Sequence, residues 1–351
     1  MMNRMAGRTN PYLQDILEQP AALQRWLDAM DSIDYAALRR IREKLVTGKF
    51  RRVILTGMGS SYHALHSILL PLLNHGIPAL MLETSELLHY APGLLEPGSL
   101  LVVVSQSGRS AEVVRLLEKA GSGITVVGVT NTADSPLAQQ AQVVIPTQAG
   151  EEFSVSCKTY VNSLAVLALL AEMLVTGEPR QVQEDLQSIP GLSETYLAQW
   201  QTHVSEAKEA LTGTRYLALA GRGTSLAAAG TGGLIIKESA HFPAEGMSSA
   251  AFRHGPLEMA SPELFVLVFS GTGPGGGLNR QLVEDVIIAG GRSALVGVSK
   301  DGGVFSLLQA AWRGLPILEI LPVQMVSLAL AELSGREAGL FSHASKVTET
   351  E

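Results

Sequence analysis

Two stretches of this chain, RRVILTGMGSS (51–61) and TRYLALAGRGTS (214–225), share one plan: an apolar run ends on a turn rich in glycine and hydroxyls, then passes into a helical pattern. Their matching glycines are Gly57 and Gly221, an offset of 164 in the numbering. SLLVVVSQSG and ELFVLVFSGTG repeat at an offset of 165, from Ser105 to Ser270, and ITVVGVTNTAD and SALVGVSKDG at 169, from Gly128 to Gly297. A nearly constant offset across three elements predicts a duplicated domain. Strand-like apolar runs that alternate with helical patterns predict parallel sheets covered by helices on both faces, an α/β fold of two tandem three-layer αβα units.

In the first unit the strands are expected at 51–57, 79–83, 100–105, 124–130 and 143–147. A helix follows the first of these, with Pro71 expected to kink or end it. Ahead of the unit, apolar residues from Leu13 to Met30 recur at helical spacing, with Pro20 separating two helical pieces. The expected organisation is a helical leader over 1–50, a first domain over 51–175, a helical linker over 176–212, a second domain over 213–333 and a tail over 334–351 that closes over the site. A length of 351 residues suits two cores.

The leader carries eight basic and six acidic side chains and is no nucleic-acid arm. The whole chain has a formal charge of -7, which argues against a nucleic-acid partner and requires any anionic ligand to be held locally. The single cysteine, Cys157, cannot form an internal disulfide or a zinc site by itself, so a reducing, cytoplasmic setting is expected. The amino terminus has no apolar signal core. The apolar stretch 161–174 is shorter than the roughly 20 residues of a membrane span and reads as a core helix, so no membrane partner is expected.

In open parallel sheets, ligands bind beyond the carboxyl ends of the strands. Ser60, Ser61, Ser105, Gln106, Ser107 and Ser110 stand at such ends, each group followed by a helix whose first N–H groups are unpaired. Hydroxyls there make a phosphate cradle that needs no lysine. The plainer reading makes Ser61 and Ser110 ordinary N-caps. Other phosphate motifs fail: Tyr62 and Leu226 replace the third glycine of a dinucleotide fingerprint, and GTGPGGG (271–277) lacks the P-loop lysine and reads as a surface loop. His63 and His66, three apart, have no third metal ligand nearby, and no metal or other cofactor is expected. Glu238 lies on a helix among Leu234, Ile235 and Ile236, where partial desolvation would suit a proton shuttle. Arg253-His254-Gly255-Pro256 is a sharp turn that offers an imidazole. Spacing alone leaves a surface glutamate and a loop histidine as the alternative.

The stretches GMGSSYHA, SQSGRS, TNTADSPLA, AGEEFSVSCKTY, GRGTS, KESAHFPAEGMSSAAFRHGP, LPVQ and SKVTETE run through most of the chain in an order that resembles the sugar isomerase (SIS) family, specifically the isomerase half of glucosamine-6-phosphate synthase and its stand-alone relatives. The resemblance implies two flavodoxin-like domains and a homodimer with shared sites. It implies that Ser61, Ser105, Gln106, Ser107 and Ser110 bind a sugar 6-phosphate, with Ser60 and the backbone of Val155 beside them. Glu238 would move the proton between C1 and C2 of an open-chain sugar, His254 from the other subunit would help open the ring, and Lys346 would be the tail's catalytic lysine. The chain departs from the synthase in beginning Met-Met-Asn without a glutaminase, so glutamine is not its expected nitrogen source. It also places Ile235 where the synthase has a lysine. The implied activities are aldose/ketose isomerisation or deamination of a hexose or hexosamine 6-phosphate. Deglycation of a fructosamine 6-phosphate and non-catalytic sensing of a sugar phosphate are the alternatives.

Overall fold

In the computed structural model, which describes residues 10–343, the leader forms α1 (Pro11–Leu17), α2 (Gln19–Asp28) and α3 (Tyr35–Val46). The break between α1 and α2 falls at Glu18, with Pro20 in the first turn of α2, where its missing N–H costs nothing. Tyr12, Ile16, Leu23, Trp26 and Leu38 from these helices are buried in the main core. The leader is therefore part of the body.

The first sheet comprises β1 (Arg52–Gly57), β2 (Ala79–Glu83), β3 (Ser99–Val104), β4 (Thr125–Thr130) and β5 (Val143–Pro146). Between and after the strands run α4 (Gly59–Ala64), α5 (His66–Asn74), α6 (Thr84–His89), α7 (Ala111–Ala120), α8 (Pro136–Gln140) and α9 (Lys158–Val175). All pairings are parallel, in the order β2-β1-β3-β4-β5, which is the flavodoxin-like order. Pro71 neither ends nor interrupts its helix. It lies inside α5, and the helical break comes earlier, at Leu65.

Three helices, α10 (Arg180–Leu186), α11 (Ile189–Leu197) and α12 (Trp200–Leu211), lead to a second parallel sheet. It comprises β6 (Tyr216–Gly221), β7 (Ala244–Ser248), β8 (Leu264–Phe269), β9 (Arg292–Val298) and β10 (Ser306–Leu307), in the order β10-β9-β8-β6-β7. Its helices are α13 (Leu226–Ala240), α14 (Ser249–Arg253), α15 (Gly276–Ile288) and α16 (Leu315–Leu333). The connectivity repeats that of the first sheet strand for strand.

Side chains alternate across each strand and sort into separate cores. Leu55, Val102, Val104, Leu219, Leu267 and Phe269 join α9, α13 and α16 in one core that fuses both halves. Ile54, Leu101 and Val103 face outward under α6, α7 and α8, while Ala218, Val266 and Val268 pack under α15. Among the described residues, the two helices apolar and long enough to match a membrane span, α9 and α16, are 89% and 94% buried within the protein. They are the central helices of the two halves.

Candidate functional site

The order β2-β1-β3 reverses direction between β1 and β3, which opens a crevice beyond their carboxyl ends. A cavity of about 350 Å³ fills it. From the first half it is lined by Ser60, Ser61, Ser105, Gln106, Ser107 and Ser110, and from the second half by Leu234 and Glu238 of α13. All six polar residues of the two turns thus meet Glu238 in one space, although they lie far from it in the chain.

These serines are not spent on capping. The N-cap of α4 is Met58, which sets Ser61 inside the helix, and Ser110, although at the N-cap of α7, makes no side-chain capping bond. Ser105 Oγ accepts from the N–H of Gly108 at 3.1 Å, and Ser107 Oγ accepts from the N–H of Arg109 at 3.2 Å. Accepting in this way leaves each hydroxyl proton for an outside acceptor. The uncapped first turn of α7 adds N–H groups and a positive partial charge.

The loop is held from behind. Gln106 C=O accepts from Asn131 N–H at 3.0 Å and from Thr130 Oγ1 at 3.2 Å. Gly108 has φ +60, and a Cβ there would lie 2.3 Å from Ser135 Oγ, so only glycine fits. Arg109 turns away from the cavity and pairs with Asp134 at 2.9 Å.

The remaining wall contains residues that motif spacing did not single out: Glu112, Glu152, Ser154, Ser156 and Phe341. Glu152 organises its own loop, accepting from the N–H groups of Cys157 and Thr159 at 2.9 and 3.0 Å and from Thr159 Oγ1 at 2.7 Å. Beneath it Lys158, 3% exposed, pairs with Asp15 at 3.0 Å and Glu18 at 2.6 Å, while Asp15 also accepts from Phe153 N–H. Leaving such a buried cation without any carboxylate would cost about 3–5 kcal/mol. The leader thereby fixes the cavity wall. Gly339 accepts from Ser154 Oγ at 2.6 Å and donates to Ser239 C=O at 2.9 Å, which ties the segment that carries Phe341 to both halves. Val155 itself points into the main core, and its carbonyl accepts from the Cys157 thiol. The cavity has three carboxylates, from Glu112, Glu152 and Glu238, and no lysine or arginine among its described lining residues.

Other expected residues lie elsewhere. His254 is exposed at the C-terminus of α14, outside the cavity of its own chain. Ile235 is fully buried in the main core. His63 and His66 are packed between elements, and burial lowers both imidazoles, His66 to about 4. Lys346 lies outside the described residues.

Residues 49–173 match the SIS domain model. The chain is 31% identical over 345 residues to the glutamine–fructose-6-phosphate aminotransferase [isomerizing] of Pyrococcus horikoshii, covering 95% of this chain and 56% of that protein. It thus spans little more than half the length of the curated relatives it matches. The fold matches glucosamine-6-phosphate deaminase from Thermotoga maritima (TM-score 0.77, 17% identity, 96% of this chain and 99% of that one). It also matches tagatose-6-phosphate ketose/aldose isomerase from Escherichia coli (TM-score 0.78, 19% identity, 95% and 97%). The serine-lined switch point, the parallel sheets and these matches identify residues 49–173 as a SIS, or sugar isomerase, domain, within a chain that is similar to SIS proteins over most of its length.

Proposed function

We propose that this protein binds a hexose or hexosamine 6-phosphate and transfers a proton between C1 and C2 of its open-chain form. One observation carries the reading: hydroxyls and uncapped N–H groups suited to a phosphate share a single cavity with a carboxylate suited to proton transfer. A volume of about 350 Å³ fits a hexose phosphate. In this reading Ser61, Ser105, Gln106, Ser107 and Ser110 hold the phosphate end, with Ser60 and the segment around Val155 beside them. Glu238 takes the proton from one carbon and returns it to the other. His254 reaches the site from a second copy of the chain and assists ring opening, and Lys346 closes over the sugar. The carboxylates of Glu112 and Glu238 favour a ligand that carries an amine, so deamination of an amino-sugar 6-phosphate is the preferred form of the reaction: moving the C2 proton to C1 leaves a C2 imine, which water hydrolyses to the ketose phosphate and ammonia.

The test is incubation with a pool of hexose, hexosamine and fructosamine 6-phosphates, read by mass spectrometry and ammonia release. Ammonia from a hexosamine 6-phosphate is the expected result, and no amino transfer from glutamine to fructose 6-phosphate is expected. Interconversion without ammonia would assign isomerisation, and cleavage of the fructosamine would assign deglycation. Binding without conversion of any sugar would overturn the catalytic reading in favour of a sensor. Mixing a Glu238→Gln variant with a His254→Ala variant tests the shared site, since hybrid dimers regain turnover only if His254 acts across subunits.

A further inference from the structure

The second sheet has its own cavity, of about 430 Å³, at the matching edge. It is built from the same parts with the two halves exchanged. The turn after β6 contributes Gly223 and Thr224, the counterparts of Gly59 and Ser60 at the offset that relates Gly57 to Gly221. The loop after β8 contributes Thr272 and Gly273, the counterparts of Ser107 and Gly108 at the offset that relates Ser105 to Ser270. The far wall is α5 of the first half, where Leu70 and Asn74 stand in the same relation to Leu234 and Glu238 of the first cavity. Each cavity therefore pairs the strand-end turns of one half with a helix of the other.

The differences indicate what such a site can do. Asn74 occupies the position of Glu238; an amide can hydrogen-bond a ligand but cannot shuttle a proton near neutral pH, and of the titratable lining residues Glu172 is paired with Arg313 while His75 Nδ1 is bonded to the Pro71 carbonyl at 2.8 Å. Trp312, 40% exposed, presents its ring on the wall, with the Arg313 guanidinium 4.6 Å from the ring centroid. Arg313 is held by Glu172 and, at 2.6 Å, by Asp185, so its charge is balanced. Arg222, between Gly221 and Gly223, makes no hydrogen bond or ion pair among the described residues, and its Nε is buried without a partner. Its side chain lies against the loop after β8, where a Cβ on Gly275 would come within 3.1 Å of Arg222 Cδ. Threonine hydroxyls on glycine-rich turns and an indole face suit a phosphate joined to a sugar ring, and the unpaired Arg222 guanidinium stands just outside the lining, against the loop after β8.

We propose that this cavity is a second sugar-phosphate site that binds its ligand without converting it. The inference shares the ligand class of the proposed function but stands on different residues. The two cavities share their helices: α13 starts at the turn of the second cavity and ends at Glu238 of the first, while α4 and α5 run the opposite way, from Ser60 to Asn74.

Calorimetric and tryptophan-fluorescence titration of the full chain with fructose 6-phosphate tests it. The wild type is expected to bind at two sites. A Ser105→Ala, Ser107→Ala double variant is expected to keep one saturable event that quenches Trp312. That quench should vanish in Trp312→Phe, and the affinity of the event should fall about tenfold or more in Arg222→Gln and in Thr272→Val, as loss of a hydrogen bond to an anion predicts. No saturable binding in the double variant, or binding unchanged by both Arg222→Gln and Thr272→Val, would overturn the second site while leaving the first intact. A quench that survives in every second-cavity variant but disappears in the double variant would likewise place all binding in the first cavity. Binding lost only through second-cavity variants would overturn the proposed function and leave this inference standing.

Discussion

The two strand-end edges of this molecule share a scaffold and differ in their chemistry. Both halves use the same strand order, and both set a cation between two carboxylates where the central helix begins: buried Lys158 with Asp15 and Glu18, and partly buried Arg313 with Glu172 and Asp185. At the ligand edge they part. The first carries Ser-Gln-Ser-Gly-Arg-Ser, and the second Ser-Gly-Thr-Gly-Pro-Gly. Ser61 faces the first cavity, whereas its counterpart Ser225 is buried and donates to Glu319 at 2.7 Å. Glu238 faces one cavity and Asn74 the other. A handful of substitutions at strand and helix ends thus separates a site equipped for proton transfer from one with an amide in place of Glu238, and the sheets beneath need not change.

The contrast can be broken at several points. Replacing Glu238 with Gln should reduce turnover by about 10²- to 10⁴-fold, the usual contribution of a positioned acid-base group, with little change in sugar-phosphate affinity. Asn74→Asp should leave turnover where it was; steady-state kinetics beside calorimetry would show both. Asp15→Ala should destabilise the protein by about 1.5–3 kcal/mol in denaturant titrations, the worth of a hydrogen bond to a charged group, because Lys158 loses one buried partner and keeps Glu18. It should also weaken binding at the first cavity, whose wall the aspartate fixes through Phe153.

Ser105→Ala should weaken phosphosugar binding by about 1.5–3 kcal/mol, the worth of a hydrogen bond to a charged group, as read by calorimetry. A smaller effect is expected from the buried carboxyl behind the second cavity. Burial raises Glu319 to about 8, although the Ser225 hydroxyl lowers it in part. In the unfolded chain this group ionises near its ordinary 4.5, so at intermediate pH the folded state binds more protons and stability falls as pH rises. Below about 6.5 burial of His66, held at about 4, gives the opposite slope. The clean window is therefore pH 6.5 to 8, where the wild type should lose ~2 kcal/mol that Glu319→Gln does not lose. Denaturant midpoints at those two pH values decide it. The smallest effect belongs to Arg109→Ala: its exposed pair with Asp134 is worth less than about 1 kcal/mol.

Continuous apolar runs made β1, β3, β4 and β8 legible from sequence, because buried parallel strands carry that signature throughout. β7, Ala-Glu-Gly-Met-Ser, has no such run, and β10 is two residues long, so neither announced itself. Serine turns could be read because a strand end and a helix start are local features. The wall formed by Glu152, Ser154 and Phe341 could not, since it depends on contacts with the leader and with α13 across the whole chain. The pairing of Arg109 with Asp134 could not be read either, because the aspartate comes from the neighbouring strand-end loop.

Hydrogen exchange on carbon tests the central claim most directly, because it does not depend on which product forms. The protein is incubated in D₂O with glucosamine 6-phosphate and fructose 6-phosphate, and the sugars are examined by NMR and mass spectrometry. The account predicts that deuterium enters at C1 or C2 of at least one sugar, that Glu238→Gln abolishes the incorporation, and that the variant still binds the sugar. Deuterium that enters at the same rate in Glu238→Gln, or none at all in a wild type that binds both sugars, would contradict it.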